Sequence, residues 1–272
     1  MKTLISNYSL LLLGAGQMGG ALLNGWLGTG SDPKNINVFD PNPSEWLMSL
    51  EKNGLNLNQP LLRNPDICII AVKPQMVEKA LFENLLDHKT DTLFVSIVAG
   101  IKLEKLKELL GENVAIARVM PNTPVAIQKG VSCIITNKHV DKNKMKLVEA
   151  LFSAVGHLIR LDNEKQIDAV TAISGSGPAY IFYFIEVLAH IGIELGLDKK
   201  LSYRLALLTV SGAGLLAEGS EESVEKLRSN VTSPNGTTEA ALNILMDQKG
   251  GLFPLMLDAV QAACSRSEKL GS

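Results

Sequence analysis

The chain has 272 residues, 46% hydrophobic and 20% charged, with a formal net charge of −2. This is enough apolar material for one large domain or two ordinary ones, and it excludes a disordered chain. The near-neutral charge gives no electrostatic case for nucleic acid or an anionic membrane, and three scattered cysteines (Cys68, Cys133, Cys264) suit a reducing cytoplasm, not a disulfide framework or a zinc site.

Up to about residue 160, short apolar runs alternate with helical patterns. Leu10 to Leu13 ends in Gly14, Ile36 to Phe39 in Asp40-Pro41, and Ile67 to Ala71 in Lys73-Pro74. Leu93 to Ile97 ends in Ala99-Gly100, and Val114 to Val119 in Pro121-Asn122. Between them lie stretches such as Leu103 to Leu110, amphipathic at helical spacing. Alternating strand and helix predicts an α/β, Rossmann-type domain over 1–160, with a mainly parallel sheet covered on both faces. From 161 to 272 strand signals vanish and long helices are predicted near 177–197, 199–218, 221–229, 236–248 and 251–269. That half reads as an all-α domain. Its most apolar stretch, Gly177 to Leu197, carries Glu186, His190 and Glu194, which argues against a membrane span. No basic start leads into an apolar segment with a cleavage site, so no signal peptide is expected.

Gly14-Ala15-Gly16-Gln17-Met18-Gly19 follows the first strand directly and opens an amphipathic helix. In a GxGxxG turn the first glycine makes the bend, the second admits a pyrophosphate, and the third lets helix and strand pack closely. The helix N-terminus offers free N–H groups and partial positive charge to the phosphates. Asp40 stands 24 residues after Gly16 at a strand end. It has two readings: an acceptor for the adenosine ribose hydroxyls that disfavours a 2′-phosphate, or a turn residue before Pro41. No Arg or Lys follows it until Lys52. The small or rigid strand ends Ala71-Val72-Lys73-Pro74, Ala99-Gly100 and Met120-Pro121-Asn122-Thr123-Pro124 leave room for a flat nicotinamide.

An alcohol-oxidising enzyme needs a general base. Tyr8, Tyr180, Tyr183 and Tyr203 all lack a lysine four residues on, and the helix from Gly177 to Glu186 carries no lysine. His88, His139, His157 and His190 read as surface or structural histidines, with His190 in a polar seam with Glu186 and Glu194. A dinucleotide cradle without a strong base suits a substrate already prepared to accept hydride, such as a protonated cyclic imine.

At this point the stretches GAGQMGG, AVKPQ, SIVAGI, RVMPNTP, DAVTAISGSGPAYIF and VTSPNGTTEAAL stand in an order that resembles the pyrroline-5-carboxylate reductase family over nearly the whole chain. The resemblance implies reduction of the C=N bond of 1-pyrroline-5-carboxylate by NAD(P)H to give L-proline, and a helical domain that dimerises with a second copy. It implies cofactor contacts at Gly16, Gln17 and Met18 for the phosphates, with Gly14 making the cofactor-binding turn, and at Asn58 near the adenosine ribose. Ala71, Val72, Lys73, Pro74, Ala99, Gly100 and Asn122 fall around the nicotinamide half. It assigns substrate to Ser233, Gly236, Thr237 and Thr238, with Thr238 near the ring nitrogen. NADPH is the family expectation, and Asp40 keeps NADH open beside it. The family commonly has Pro-Gly-Gly where this chain has Pro234-Asn235-Gly236; asparagine tolerates the left-handed backbone, so the turn is expected to survive.

The turn at Ser233–Thr238 then has a use. The substrate carries a carboxylate, and a turn opening a helix presents unpaired N–H groups to an anion. The same residues would equally serve as a plain helix cap. Two other functions stay open at this level: a non-catalytic nicotinamide-nucleotide sensor, and a reductase of a related cyclic imine or one linked to a deazaflavin.

Overall fold

All five apolar runs are strands: β1 (Leu10–Leu13), β2 (Ile36–Phe39), β4 (Ile67–Ile70), β5 (Leu93–Ser96) and β6 (Ala115–Met120). The protein is seen here as a computed structural model that describes residues 8–84 and 91–271; His88 lies outside them. Three further strands were not expected: β3 (Asn56–Leu57), β7 (Gly130–Thr136) and β8 (Gly156–Arg160). Together they make one sheet in the order β3-β2-β1-β4-β5-β6-β7-β8. Every pairing is parallel except β6 with β7. The order reverses direction between β1 and β4, which is where ligands bind in open sheets of this kind.

Two-sided burial explains the uninterrupted leucines of β1. Leu10 and Leu12 face one core with Leu22, Leu23 and Trp26 of α1 (Gln17–Gly28) and Phe152 of α5 (Lys142–Ser153). Leu11 and Leu13 face the other, with Leu81 of α3 (Val77–Asn84) and Leu106 and Leu110 of α4 (Leu103–Leu110). The Trp26 indole N–H donates to the Leu151 carbonyl at 2.9 Å, so α1 and α5 are tied by a satisfied buried donor. A five-residue helix, α2 (Glu45–Ser49), follows β2 with Ser44 capping Leu47 N–H.

Beyond β8 the described residues contain no strand. A short helix α6 (Gln166–Val170) runs into a π-helical turn (Thr171–Gly175). Then come α7 (Gly177–Glu194), α8 (Lys199–Gly219), α9 (Val224–Asn230), α10 (Thr237–Leu245) and α11 (Leu252–Leu270). Contacts divide the chain into two compact units, one running to Ser176 and taking up the chain again at Ala263, the other Gly177–Ala262. The boundary drawn from composition at 160/161 marks where strands stop. The contact boundary lies later because Ile167 and Ala172 are fully buried and Asp168 accepts a bond from Ser267 Oγ at 2.6 Å within the first unit.

In the second unit Gly196, at φ +92°, turns α7 into α8, and Asp198 caps α8 by accepting from Leu201 N–H. Ser202 Oγ donates to the Ala189 carbonyl at 2.5 Å, close beside Gly192. His190 meets Tyr203 of α8, Nε2 to hydroxyl 3.0 Å with the rings edge-on. It thus bonds a tyrosine of the next helix, not the glutamates of its own. Ile181, Phe182, Tyr183 and Phe184 on α7, and Leu207, Leu208, Leu215 and Leu216 on α8, are exposed in the single chain.

Candidate active site: a dinucleotide cradle and an uncapped helix

The three glycines of the β1–α1 turn do three different jobs. Gly14 sits at φ +89°, where a Cβ would also lie 2.9 Å from the Ala71 carbonyl oxygen. A Cβ on Gly19 would lie 2.2 Å from the Gly14 carbonyl oxygen, so this glycine lets helix and strand close up. A Cβ on Gly16 would meet nothing within 4 Å and would project into open space. That space is what a pyrophosphate needs. Gly16 is the N-cap of α1 with no side-chain cap, and the first helical bond is Gly20 N–H to Gly16 C=O. The N–H groups of Gln17, Met18 and Gly19 therefore precede the hydrogen-bonded ladder and suit an anion. Met18's side chain packs against the core, so its backbone is the part that can serve a ligand.

Two clefts flank this turn and share Gly16, Asp40 and Asn42. One, of about 580 Å³, is lined by Gly14, Asn58, Ala71, Val72, Lys73 and Lys79 among others. The other, of about 620 Å³, runs past Gln17, Asn24, Ser44 and Trp46. Asp40 stands between them, and its carboxylate is engaged. Oδ2 accepts from Ala15 N–H at 2.7 Å and Oδ1 from Asn42 N–H at 2.8 Å. Asn58, at φ +51°, grips the Asp40 backbone with both ends of its amide: Oδ1 accepts from Asp40 N–H and Nδ2 donates to Asp40 C=O, each at 2.9 Å. Asp40 is thus more than a turn residue before a proline; it fastens β2 to the glycine turn. Lys73 and Lys79 bring cations into the cleft that Asp40 lines, which proximity in sequence did not reveal.

The other predicted positions divide. Ala71, Val72 and Lys73 line the cleft of about 580 Å³, while Pro74 starts a short 3₁₀ turn beside it. Asn122 is buried, its Oδ1 accepting from Val131 N–H and its Nδ2 donating to the Ser174 carbonyl, so the side chain ties the end of β6 to its surroundings. Gly100 turns at φ +81° and is buried beneath the end of α11. Neither cleft includes Ala99, Gly100 or Asn122. Asn42, Ser44, Trp46 and Lys79 were missed by sequence reading; their only signal was closeness in the chain to β2 or β4 ends.

In the second unit, Asn235 adopts φ +60° and Gly236 is the N-cap of α10, so the expected turn forms without the usual second glycine. No hydroxyl closes the helix: the N-terminus has no side-chain cap bond. Glu239 instead reaches back to accept from Asn235 N–H at 2.7 Å. Ser233 and Thr237 are exposed and Thr238 half-buried. A Cβ on Gly236 would lie 2.9 Å from the Ser233 carbonyl oxygen, so the turn itself demands this glycine whatever it binds. The cysteines add no chemistry: burial pushes the Cys68 and Cys133 thiols up and keeps them protonated. Among the described residues no cluster of three or more His, Cys, Asp or Glu could hold a metal.

Residues 164–270 match the family model for pyrroline-5-carboxylate reductase dimerisation, and residues 9–100 match the model for NADP oxidoreductase, coenzyme F420-dependent. A pyrroline-5-carboxylate reductase of Pseudomonas aeruginosa is 37% identical over 270 residues, covering 98% of both chains. One from Arabidopsis thaliana is 36% identical over 268 residues, 97% of this chain and 96% of that one. The chain belongs to the pyrroline-5-carboxylate reductase family. Among solved structures, the NADP-bound Plasmodium falciparum pyrroline carboxylate reductase superposes with a TM-score of 0.86 at 34% identity, covering 98% of this chain and 99% of that one. The Coxiella burnetii enzyme gives 0.87 at 34%, covering 97% and 99%. Family membership explains the exposed apolar faces of α7 and α8: they lie inside the match to the dimerisation model, so this chain associates with copies of itself. The helical stretch Gln166–Glu194 is long and apolar enough to cross a membrane by length and composition. It also falls within that match.

Proposed function

We infer that the chain reduces 1-pyrroline-5-carboxylate to L-proline with a reduced nicotinamide dinucleotide. Beside the family match, the observation that carries this reading is the start of α10. It is a hydroxyl-rich turn whose hydroxyls cap nothing, leaving the first N–H groups of a nine-residue helix for an anion. The bound dinucleotide supplies the hydride that the imine carbon accepts. What remains for the chain is binding and orientation. The N–H groups of Gln17 and Met18 hold the phosphates over Gly16, and those at the start of α10 hold the substrate carboxylate. Ser233 and Thr237 add hydroxyl donors to it. The ring nitrogen enters carrying its proton, so Thr238 orients it by a hydrogen bond and need not act as a strong acid.

Both NADPH and NADH serve as cofactors in this reading. Lys73, in the same cleft as Asp40 and Asn58, supports acceptance of a 2′-phosphate; Lys79 lines it too, paired with Glu83 at 3.7 Å. Asp40 keeps NADH acceptable, since it places a carboxylate at the β2 end, where a 2′-phosphate is disfavoured. The assembly is a homodimer or a larger oligomer built from dimers, and three unpaired cysteines suit a reducing cytoplasm. The test is oxidation of NADH and of NADPH with pyrroline-5-carboxylate, beside the six-membered homologue. Absence of turnover with the five-membered imine and either cofactor would overturn it, and faster turnover of the six-membered ring would reassign the substrate.

A further inference from the structure

The loop after β5 is held by residues far along the chain. Ile97 N–H pairs with the Ile70 carbonyl and Val98 N–H with Ser96 Oγ, which carries the strand's alignment to Ala99. At Gly100 the backbone turns with φ +81°, a conformation that glycine adopts without penalty but does not by itself keep to. Two outside contacts keep it there. On the far side of the loop, Leu103 N–H donates to Glu164 Oε1 at 2.8 Å, and the same oxygen accepts from buried Arg118. On the near side lies the end of α11, whose residues from Ala263 on belong with the first unit. A Cβ added to Gly100 would lie 2.4 Å from the Leu270 carbonyl oxygen and 3.0 Å from the Leu270 Cβ; one added to Gly271 would lie 2.8 Å from the Gly100 carbonyl oxygen. Backbone therefore packs on backbone here with no slack. That last turn is itself pinned: Ser267 is 4% exposed and donates from Oγ to Asp168 Oδ1 at 2.6 Å.

We propose that Ser267 and Leu270, at the end of α11, are positioning residues for the Ala99–Gly100 turn and, through it, for the nicotinamide half of the dinucleotide. The inference rests on the reading that this turn borders the nicotinamide. Its logic is that a wall at the carboxyl edge of the sheet serves hydride transfer only if it holds one position, since a misplacement of about 1 Å costs on the order of a hundredfold in rate. Glycine at Gly100 permits the close approach of Leu270; the approach in turn removes the other conformations glycine allows.

The experiment compares four full-length variants and one shortened chain: Gly100→Ala, Ser267→Ala, Asp168→Ala, Asp168→Asn, and a chain ending at Lys269, the last also combined with Gly100→Ala. Each is assayed for kcat and for KM of both substrates. Binding of the whole dinucleotide is compared with binding of adenosine 2′,5′-bisphosphate, which lacks the nicotinamide half. Ser267→Ala, Asp168→Ala and the shortened chain are expected to lower kcat or weaken dinucleotide binding by roughly tenfold while leaving adenosine 2′,5′-bisphosphate binding unchanged. Asp168→Asn still offers an oxygen to Ser267 and should stay close to the parent. Gly100→Ala should lose roughly a hundredfold in the full chain and clearly less in the shortened one, because the opposing carbonyl has gone. If Gly100→Ala matters but Ser267→Ala and shortening do not, or if the Gly100 and shortening effects simply multiply, the positioning role is wrong. If Gly100→Ala itself leaves every kinetic and binding constant unchanged, the turn does not border the nicotinamide and the underlying reading fails with it.

Discussion

The three glycines of the β1–α1 turn make separable predictions when each is replaced by alanine. At Gly19 the new methyl would stand 2.2 Å from the Gly14 carbonyl oxygen. This is more than about 1 Å short of an ordinary non-bonded contact, so helix α1 must shift away from β1. Overpacking of that kind costs about 1–3 kcal/mol, and because the shift moves the N–H groups proposed to hold the phosphates, stability and affinity should fall together. At Gly16 the backbone has φ −64° and ψ −158°, open to any residue, and the methyl would touch no protein atom within 4 Å. The stability change should stay within about 0.5 kcal/mol, as at an unconstrained surface position. The same methyl would project where the pyrophosphate must approach. Loss of one hydrogen bond to a charged group is worth about 1.5–3 kcal/mol, or roughly tenfold to a hundredfold in dissociation constant. The assay is a melting curve for each purified variant beside calorimetric titration with NADPH and NADH. Gly16→Ala should melt with the parent and bind poorly; Gly19→Ala should melt early and bind poorly. If Gly16→Ala binds both dinucleotides normally, the open space above that residue is not the pyrophosphate site. If it melts as early as Gly19→Ala, the reasoning from Cβ contacts is wrong.

Three more outcomes follow from the remaining contacts. Thr238→Ala should lower kcat/KM for the imine by roughly tenfold to a hundredfold, the scale of one polar contact, while dinucleotide affinity holds; near-normal turnover would return the start of α10 to a structural role. Asp40→Ser removes an acceptor from Ala15 N–H and a negative charge from the β2 end, so binding of NADH should weaken more than that of NADPH, read as a rise in the NADPH/NADH ratio of kcat/KM. An unmoved ratio would mean that the carboxylate only fastens the turn. Glu164→Ala strands Arg118, which is 3% exposed and already has a buried Nε without a partner. Denaturant unfolding should report a loss of about 2–3 kcal/mol, below the full cost of a stranded buried charge because the Glu164 side chain is 28% exposed.

Much of this protein is legible in its sequence for reasons that act locally. A short apolar run ending in a turn residue, as Leu10 to Leu13 ends in Gly14, reads as a strand covered on both faces, and the five strands with apolar runs were all visible. The helices from α7 on begin and end within a few residues of the expected ranges, because amphipathic spacing, Asp198 as a cap and Gly196 as a stop are near-neighbour effects. The glycine spacing and the Asn235-Gly236 turn carried the cradle and the start of α10 in the same way. The edge strands β3 and β8 were not legible: one is two residues long and the other carries Gly156, His157 and Arg160, so neither shows the burial pattern that betrays a strand. β7 is held between β6, antiparallel, and β8, parallel, and pairing leaves no mark in one segment alone. What only the tertiary structure decided are the contacts between residues distant in sequence. Asn58 grips Asp40, Asp40 holds Ala15, Lys79 enters the cleft of β2, Glu164 ties α4 to β6, and Leu270 closes over Gly100. Leu270 apart, each is a polar residue whose local preference is turn or surface. Its partner is chosen by how the strands and helices bring their ends together, and no periodicity along the chain encodes that.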